Sequence, residues 1–136
     1  MSVKMSGRLL DLKKIELVHE QSGTKITTAA PLDNKGDGSS FSPTDLCAVA
    51  YPACVLTTMA IIAENKNIDI TGSHFTVEKI MSENPRRLGK IIVEMRLPAK
   101  LTNEEREKIS RAVEACPVHR SFDHNVVLET KLLFTV

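Results

Sequence analysis

Three cysteines and four histidines equip this 136-residue chain for covalent or metal chemistry. Cys54 lies in "AVAYPACVLTT", residues 48 to 58, two positions after Pro52. Cys116 opens "CPVHRS", residues 116 to 121. A thiol is a nucleophile only as its thiolate, so the question at each position is how the surroundings treat a negative charge. Proline inside a helix removes a backbone hydrogen bond and clashes with the preceding turn. If the helix restarts at Pro52, Cys54 falls in the first turn of the new segment, where free amides and the positive dipole end favour a thiolate. Cys116 is expected at a helix C-terminus on the buried side, which disfavours the charge; His119 and Arg120 in the following loop could offset this. That asymmetry suggests that Cys54 attacks and Cys116 resolves. The plain alternative is that each is a small residue packed in a helix, where most free cysteines are found. Cys47 sits two turns before Cys54, ~10 Å away at ~1.5 Å per residue, too far for a disulfide within one helix, and reads as packing.

Other chemistries fit less well. Cys116 and His119 have a C-x-x-H spacing that Cys54 could join in a zinc site, but no second close ligand pair exists. His74 and His124 are expected at the surface. Residues 31 to 43, "PLDNKGDGSSFSP", place Asp33, Asp37 and Gly38 at the first, fifth and sixth positions of a calcium loop. Lys35 at the third position and Thr44 at the twelfth defeat that reading. The same loop lacks the Gly-Lys-Ser/Thr ending of a phosphate-binding loop. Neither a Ser-His-Asp order nor paired catalytic carboxylates can be argued. A net charge of +1, one tyrosine and no tryptophan leave no nucleic-acid surface and few stacking platforms. An odd number of cysteines and an N-terminus without an apolar signal region suggest a reduced, cytoplasmic protein.

These residues need elements to position them. "KKIELVHEQ" and "TKITTAA" read as strands around a turn at Gln21-Ser22-Gly23. A helix is predicted after the loop, with Ser42 as N-cap, Pro43 in the first turn and Asp45 reaching back to the cap amide. From Leu46 to Ala63 it is apolar on nearly every face, which raises the membrane question. Pro52, two threonines and many alanines argue for a buried core helix instead, with no membrane partner. A helix apolar all round needs cover on every side, and a second subunit is expected to supply part of it. Strands are predicted in "HFTVEKIM" and "KIIVEMRL", the latter with Ile91, Val93, Met95 and Leu97 on one face. Thr102 and Glu105 form a capping box for a second helix, whose buried stripe is Ile109, Ala112, Val113 and Cys116. "NVVLETKLLFTV" supplies the last strand. The order describes one α+β domain over residues 1–136, antiparallel strands around a long buried central helix, rather than alternating parallel units.

The runs "SPTDLCAVAYPACVLTTMAIIAENKNIDI" and "NPRRLGKIIVEMRLPAKLTNEEREKISRAVEACPVHRSF" resemble the OsmC/Ohr family, the osmotically inducible and organic hydroperoxide resistance proteins. The resemblance runs from about Gly36 to the C-terminus. It is carried by the Ser-Pro helix start, Ala53-Cys54 and the run from Cys116. It implies an intertwined homodimer with sites at the subunit interface. It also implies a cofactor-free peroxidase that reduces organic hydroperoxides, with Cys54 peroxidatic, Cys116 resolving and an external thiol as reductant. The family commonly places a glutamate after the helix-starting proline, paired with an arginine from the N-terminal region. Here that position is Thr44, followed by Asp45, and Arg8 is the only arginine before residue 86. Asp45 is therefore a supporting site candidate. A dimeric redox-sensing or ligand-binding protein with little turnover is the alternative expectation.

Overall fold

A computed structural model describes all 136 residues. The chain divides into two compact units, Met1–Leu46 and Cys47–Val136, with the boundary inside the long helix.

In the first unit, β1 (Met5–Leu9), β2 (Lys14–His19) and β3 (Thr24–Ala29) form an antiparallel meander in the order β1-β2-β3. Register pairs Leu9 with Ile15 and Leu17 with Ile26, so Met5, Leu9, Ile15, Leu17 and Ile26 alternate onto one sheet face. Residues 31–42 then fold back tightly. The Gly36 amide bonds Pro31 O and the Gly38 amide bonds Ala30 O. A Cβ at Gly36 would lie 1.8 Å from the Ala30 carbonyl oxygen, so only glycine fits. The loop whose calcium reading the sequence excluded is closed by backbone bonds and by Asp37, which accepts from the Ser39 amide and pairs with Lys14.

Helix α1 spans Pro43–Lys66. Its start is the predicted capping box. The Asp45 amide donates to Ser42 Oγ at 3.0 Å, and the Ser42 amide donates to Asp45 Oδ2 at 2.9 Å. The expected restart at Pro52 does not occur: α1 is continuous through a fully buried Pro52. Packing of the flanking turns overrides the lost hydrogen bond.

The second unit pairs α1 with β4 (His74–Ser82), β5 (Arg87–Leu97) and β6 (Val127–Phe134), in the order β4-β5-β6. β4 and β5, the two strands predicted there, pair as an antiparallel hairpin, while β6 runs parallel to β5. The all-antiparallel expectation is corrected here. The chain leaves β5 at Pro98 and crosses back through α2 (Asn103–Ser110), α3 (Ala112–Ala115) and α4 (Pro117–Ser121), so it re-enters the sheet in the same direction. Ile91, Val93, Met95 and Leu97 are all essentially inaccessible, as their alternation predicts. Tyr51, Val55 and Met59 from α1 and Ile109, Ala112 and Cys116 from the crossover complete this core. Each large side chain buried there is worth ~1.5–3 kcal/mol.

Only one side of α1 is covered, by Ala48, Tyr51, Pro52, Val55, Met59 and Ala63. Cys47, Ala53, Thr57, Ala60 and Ile61 lie exposed, with Ile61 at 55%. α1 is long and apolar enough to span a membrane by length and composition, with a third of its most apolar window buried.

Candidate functional site

Two cysteines 62 residues apart in sequence become neighbours in the second unit. Cys54 sits in the middle of α1, half-buried, on the turn that follows Tyr51. Because α1 is continuous through Pro52, Cys54 lies in mid-helix and not in a first turn. Thr58 Oγ1 donates to the Cys54 carbonyl at 2.9 Å.

The surroundings of Cys116 follow from the Cys-Pro dipeptide. A residue before proline is driven out of the helical region, and Cys116 adopts φ −62°, ψ 126°. That ends α3 and makes Cys116 the N-cap of α4, with Pro117 at the first helical position. The His119 amide donates to Cys116 Sγ at 3.4 Å, the bond an N-cap side chain ordinarily accepts. The expectation that Cys116 lies at a helix C-terminus is therefore half of the geometry. It closes one short helix and caps the next.

Cys116 is fully buried. Burial pushes its thiol pKa up, and the adjacent Cys54 side chain adds to this by polar contact and by charge. The amides of His119 and Val118 face the sulfur and pull the other way without winning.

Tyr51 completes the surroundings. Its hydroxyl shares a 2.5 Å hydrogen bond with Thr130 Oγ1 of β6. Its ring lies 5.9 Å from the His119 imidazole, tilted by 47°. Burial raises the phenol pKa, the bond to Thr130 opposes this, and the charge of an ionised Cys116 raises it again. Sequence reasoning did not single out Tyr51 or Thr130. Two signals were there to be read: the only tyrosine of the chain stands three residues before Cys54, and Thr130 is the polar member of the inward series Leu128, Thr130, Leu132.

The remaining candidates lie as follows. Asp45 is committed to the α1 cap with Ser42, nine residues before Cys54. Arg8 pairs with Glu16 across β1 and β2 at 3.2 Å. Arg120 Nε donates to the Glu114 carbonyl at 3.3 Å. Cys47, read as packing, is exposed in the single chain. His74 and His124 are exposed. No group of three or more His, Cys, Asp or Glu side chains is placed to hold a metal ion.

Two thiols held side by side, one half-exposed and one buried, can cycle between dithiol and disulfide. The family described as OsmC-like protein matches residues 36–131, and the chain belongs to that family. A crystal structure from Psychrobacter arcticus, of a protein provisionally described as an osmotic stress induced and detoxification response protein, is 30% identical. It superposes with a TM-score of 0.89 over 94% of this chain and 93% of the other. An organic hydroperoxide resistance protein OsmC from Legionella pneumophila, 18% identical, covers 98% and 97% with a TM-score of 0.77. Organic hydroperoxide resistance protein OhrB of Bacillus subtilis, 19% identical, covers 97% and 98% with a TM-score of 0.70. The last two share the fold. No curated protein matches the sequence.

Proposed function

We propose that this protein is a cytoplasmic, homodimeric thiol peroxidase that reduces organic hydroperoxides. The observation that carries the reading is the pairing of half-exposed Cys54 with buried Cys116. In the first step the Cys54 thiolate attacks the terminal peroxide oxygen. The O–O bond breaks, Cys54 becomes a sulfenic acid, and the alkoxide takes a proton to leave as alcohol. Cys116 then loses its proton and attacks the sulfenic sulfur; the S–O bond breaks, and the departing hydroxide leaves as water. The resulting Cys54–Cys116 disulfide is reduced by two equivalents of an external thiol. Thiols carry every electron, so no cofactor is assigned.

Homodimer formation is supported by the uncovered apolar side of α1. It is also supported by Met5 and Leu9, exposed at 67% and 68% on the first sheet. The substrate class is supported by the fold shared with the organic hydroperoxide resistance proteins of Legionella and Bacillus. A second reading, a redox-sensing or ligand-binding dimer with little turnover, is favoured by the commitment of Asp45 to the helix cap and of Arg8 to Glu16.

Cumene hydroperoxide mixed with reduced protein tests the choice. The peroxidase reading expects about one equivalent consumed per Cys54, a Cys54–Cys116 disulfide by peptide mass, and sustained turnover with dithiothreitol. Cys54→Ser abolishes consumption. Disulfide formation without sustained turnover selects the sensor, and no consumption by wild type removes the peroxidase.

A further inference from the structure

Tyr51 is the side chain through which three elements meet beside the two thiols. It belongs to α1, which carries Cys54 three residues on. Its hydroxyl is tied to Thr130 of β6. Its ring stands against His119 of α4, whose own amide holds Cys116 Sγ. Thr130 pairs in register with Val93, which is 1% exposed, so the anchor point is a strand fixed in the core. α4 has five residues, too few to hold its position by itself. Its place relative to α1 depends on side-chain contacts, and Tyr51 supplies a contact to its third residue.

We infer that Tyr51, anchored by Thr130, is a positioning residue for Cys116: it fixes α4 so that the resolving sulfur stays within reach of Cys54. The inference rests on the peroxidase reading for its kinetic consequence and is independent of it for its equilibrium consequence. A disulfide needs the two sulfurs about 2.05 Å apart with a defined dihedral, so the fraction of time Cys116 spends poised sets both the rate and the equilibrium of closure. The closure being measured is an exchange. The Cys54 and Cys116 thiols give two electrons and two protons to oxidised dithiothreitol, forming one S–S bond and releasing reduced dithiothreitol. Losing the anchor lowers the effective concentration of Cys116 at Cys54 and moves this equilibrium toward the dithiol.

Two variants remove the anchor from opposite ends, Tyr51→Phe and Thr130→Val; Thr130→Ser keeps the hydroxyl. Each is equilibrated with dithiothreitol redox buffers, and the Cys54–Cys116 disulfide fraction is read by alkylation and mass. The loss of one partly buried hydrogen bond predicts a shift of about fivefold in the exchange constant toward dithiol for both variants. Thr130→Ser returns to within about twofold of wild type on the same scale. With cumene hydroperoxide, the two anchor-free variants form the Cys54 sulfenic acid at the wild-type rate but close the disulfide about fivefold more slowly, so the dimedone adduct of Cys54 accumulates. A shift in the exchange constant in a protein that consumes no peroxide upholds the positioning role and removes the peroxidase reading. Should Tyr51→Phe fail to fold, the Thr130→Val and Thr130→Ser pair decides alone. Unchanged exchange constants in the folded anchor-free variants, or a shift toward disulfide, overturn the inference. So does a shift that Thr130→Ser does not rescue.

Discussion

The buried thiol of Cys116 gives the protein an alkaline liability whose size can be worked out. In the folded chain its pKa is raised, first by burial and then by the neighbouring Cys54 side chain. In the unfolded chain a thiol ionises near ~8.5. Above that pH the unfolded state has lost a proton that the folded state keeps, so stability falls as pH rises. The contribution is fully present below ~8.5 and disappears as pH climbs through the folded value. One proton sets a limiting slope of ~1.4 kcal/mol per pH unit, which integrates to ~1 kcal/mol between pH 8.5 and 9.5 while the folded thiol stays protonated. Tyr51 is also raised by burial and adds a second proton only above ~10, so the window below pH 9.5 isolates the cysteine. Urea unfolding in the presence of a phosphine reductant at pH 7.0, 8.5 and 9.5 measures the limb. Cys116→Ser places a non-ionising hydroxyl at the same cap, leaving Cys47 and Cys54 common to both proteins. Wild type is expected to lose ~1 kcal/mol more than the variant over the upper unit, at equal m-values. Parallel pH curves for the two proteins would refute the claim that Cys116 is held protonated by its site.

Two smaller perturbations test the frame around the site. Thr102→Ala removes the side chain that accepts the Glu105 amide at 3.1 Å, and a loss of ~1 kcal/mol is expected in chemical denaturation. Asp37 is held at about 2 by the Ser39 side-chain and backbone bonds and by Lys14. Its contribution is present above the ordinary aspartate value and is lost as pH falls through about 2. Asp37→Asn should therefore flatten the acid side of a thermal melting profile recorded from pH 4.5 downward. An unchanged profile would mean that the 31–42 loop adds no pH-dependent stability.

What the sequence disclosed was local. The Ser42–Asp45 and Thr102–Glu105 capping boxes and the Ile91, Val93, Met95, Leu97 face each depend on spacings of two to four residues, and each formed as expected. Pro52 misled because its cost is local while its compensation is tertiary. The turns on either side contribute Tyr51, Val55 and Met59 to the core, and these keep the helix continuous through the proline. Cys116 was half-legible. Its place at the end of a helix was expected, but the ability of the following Pro117 to begin another was not. The parallel β6 and the Tyr51–Thr130 bond connect positions 37 and 79 residues apart, and no periodicity within a strand or a helix reports such a pairing. The long apolar helix showed that it needs cover beyond its own chain but not which residues that chain covers, because small residues suit an intramolecular core and a subunit interface equally well.

In the proposed reaction, charge orders the two thiols. Attack requires Cys54 as a thiolate, and a negative charge there is one of the influences that keep the proton on Cys116. The second thiol is then a poor nucleophile at the stage when it has nothing to attack. Once oxygen transfer converts Cys54 to a neutral sulfenic acid, that like-charge penalty disappears. Burial still resists ionisation, but the amides of His119 and Val118 already face the sulfur and oppose it. Those amides are available because Pro117 forces Cys116 out of the helix and starts α4 beyond it. The Cys-Pro step thus joins the fold to the chemistry. It places donors at the sulfur of a thiol buried in the core and, in the proposed reaction, leaves the charge on Cys54 to govern when the proton can leave.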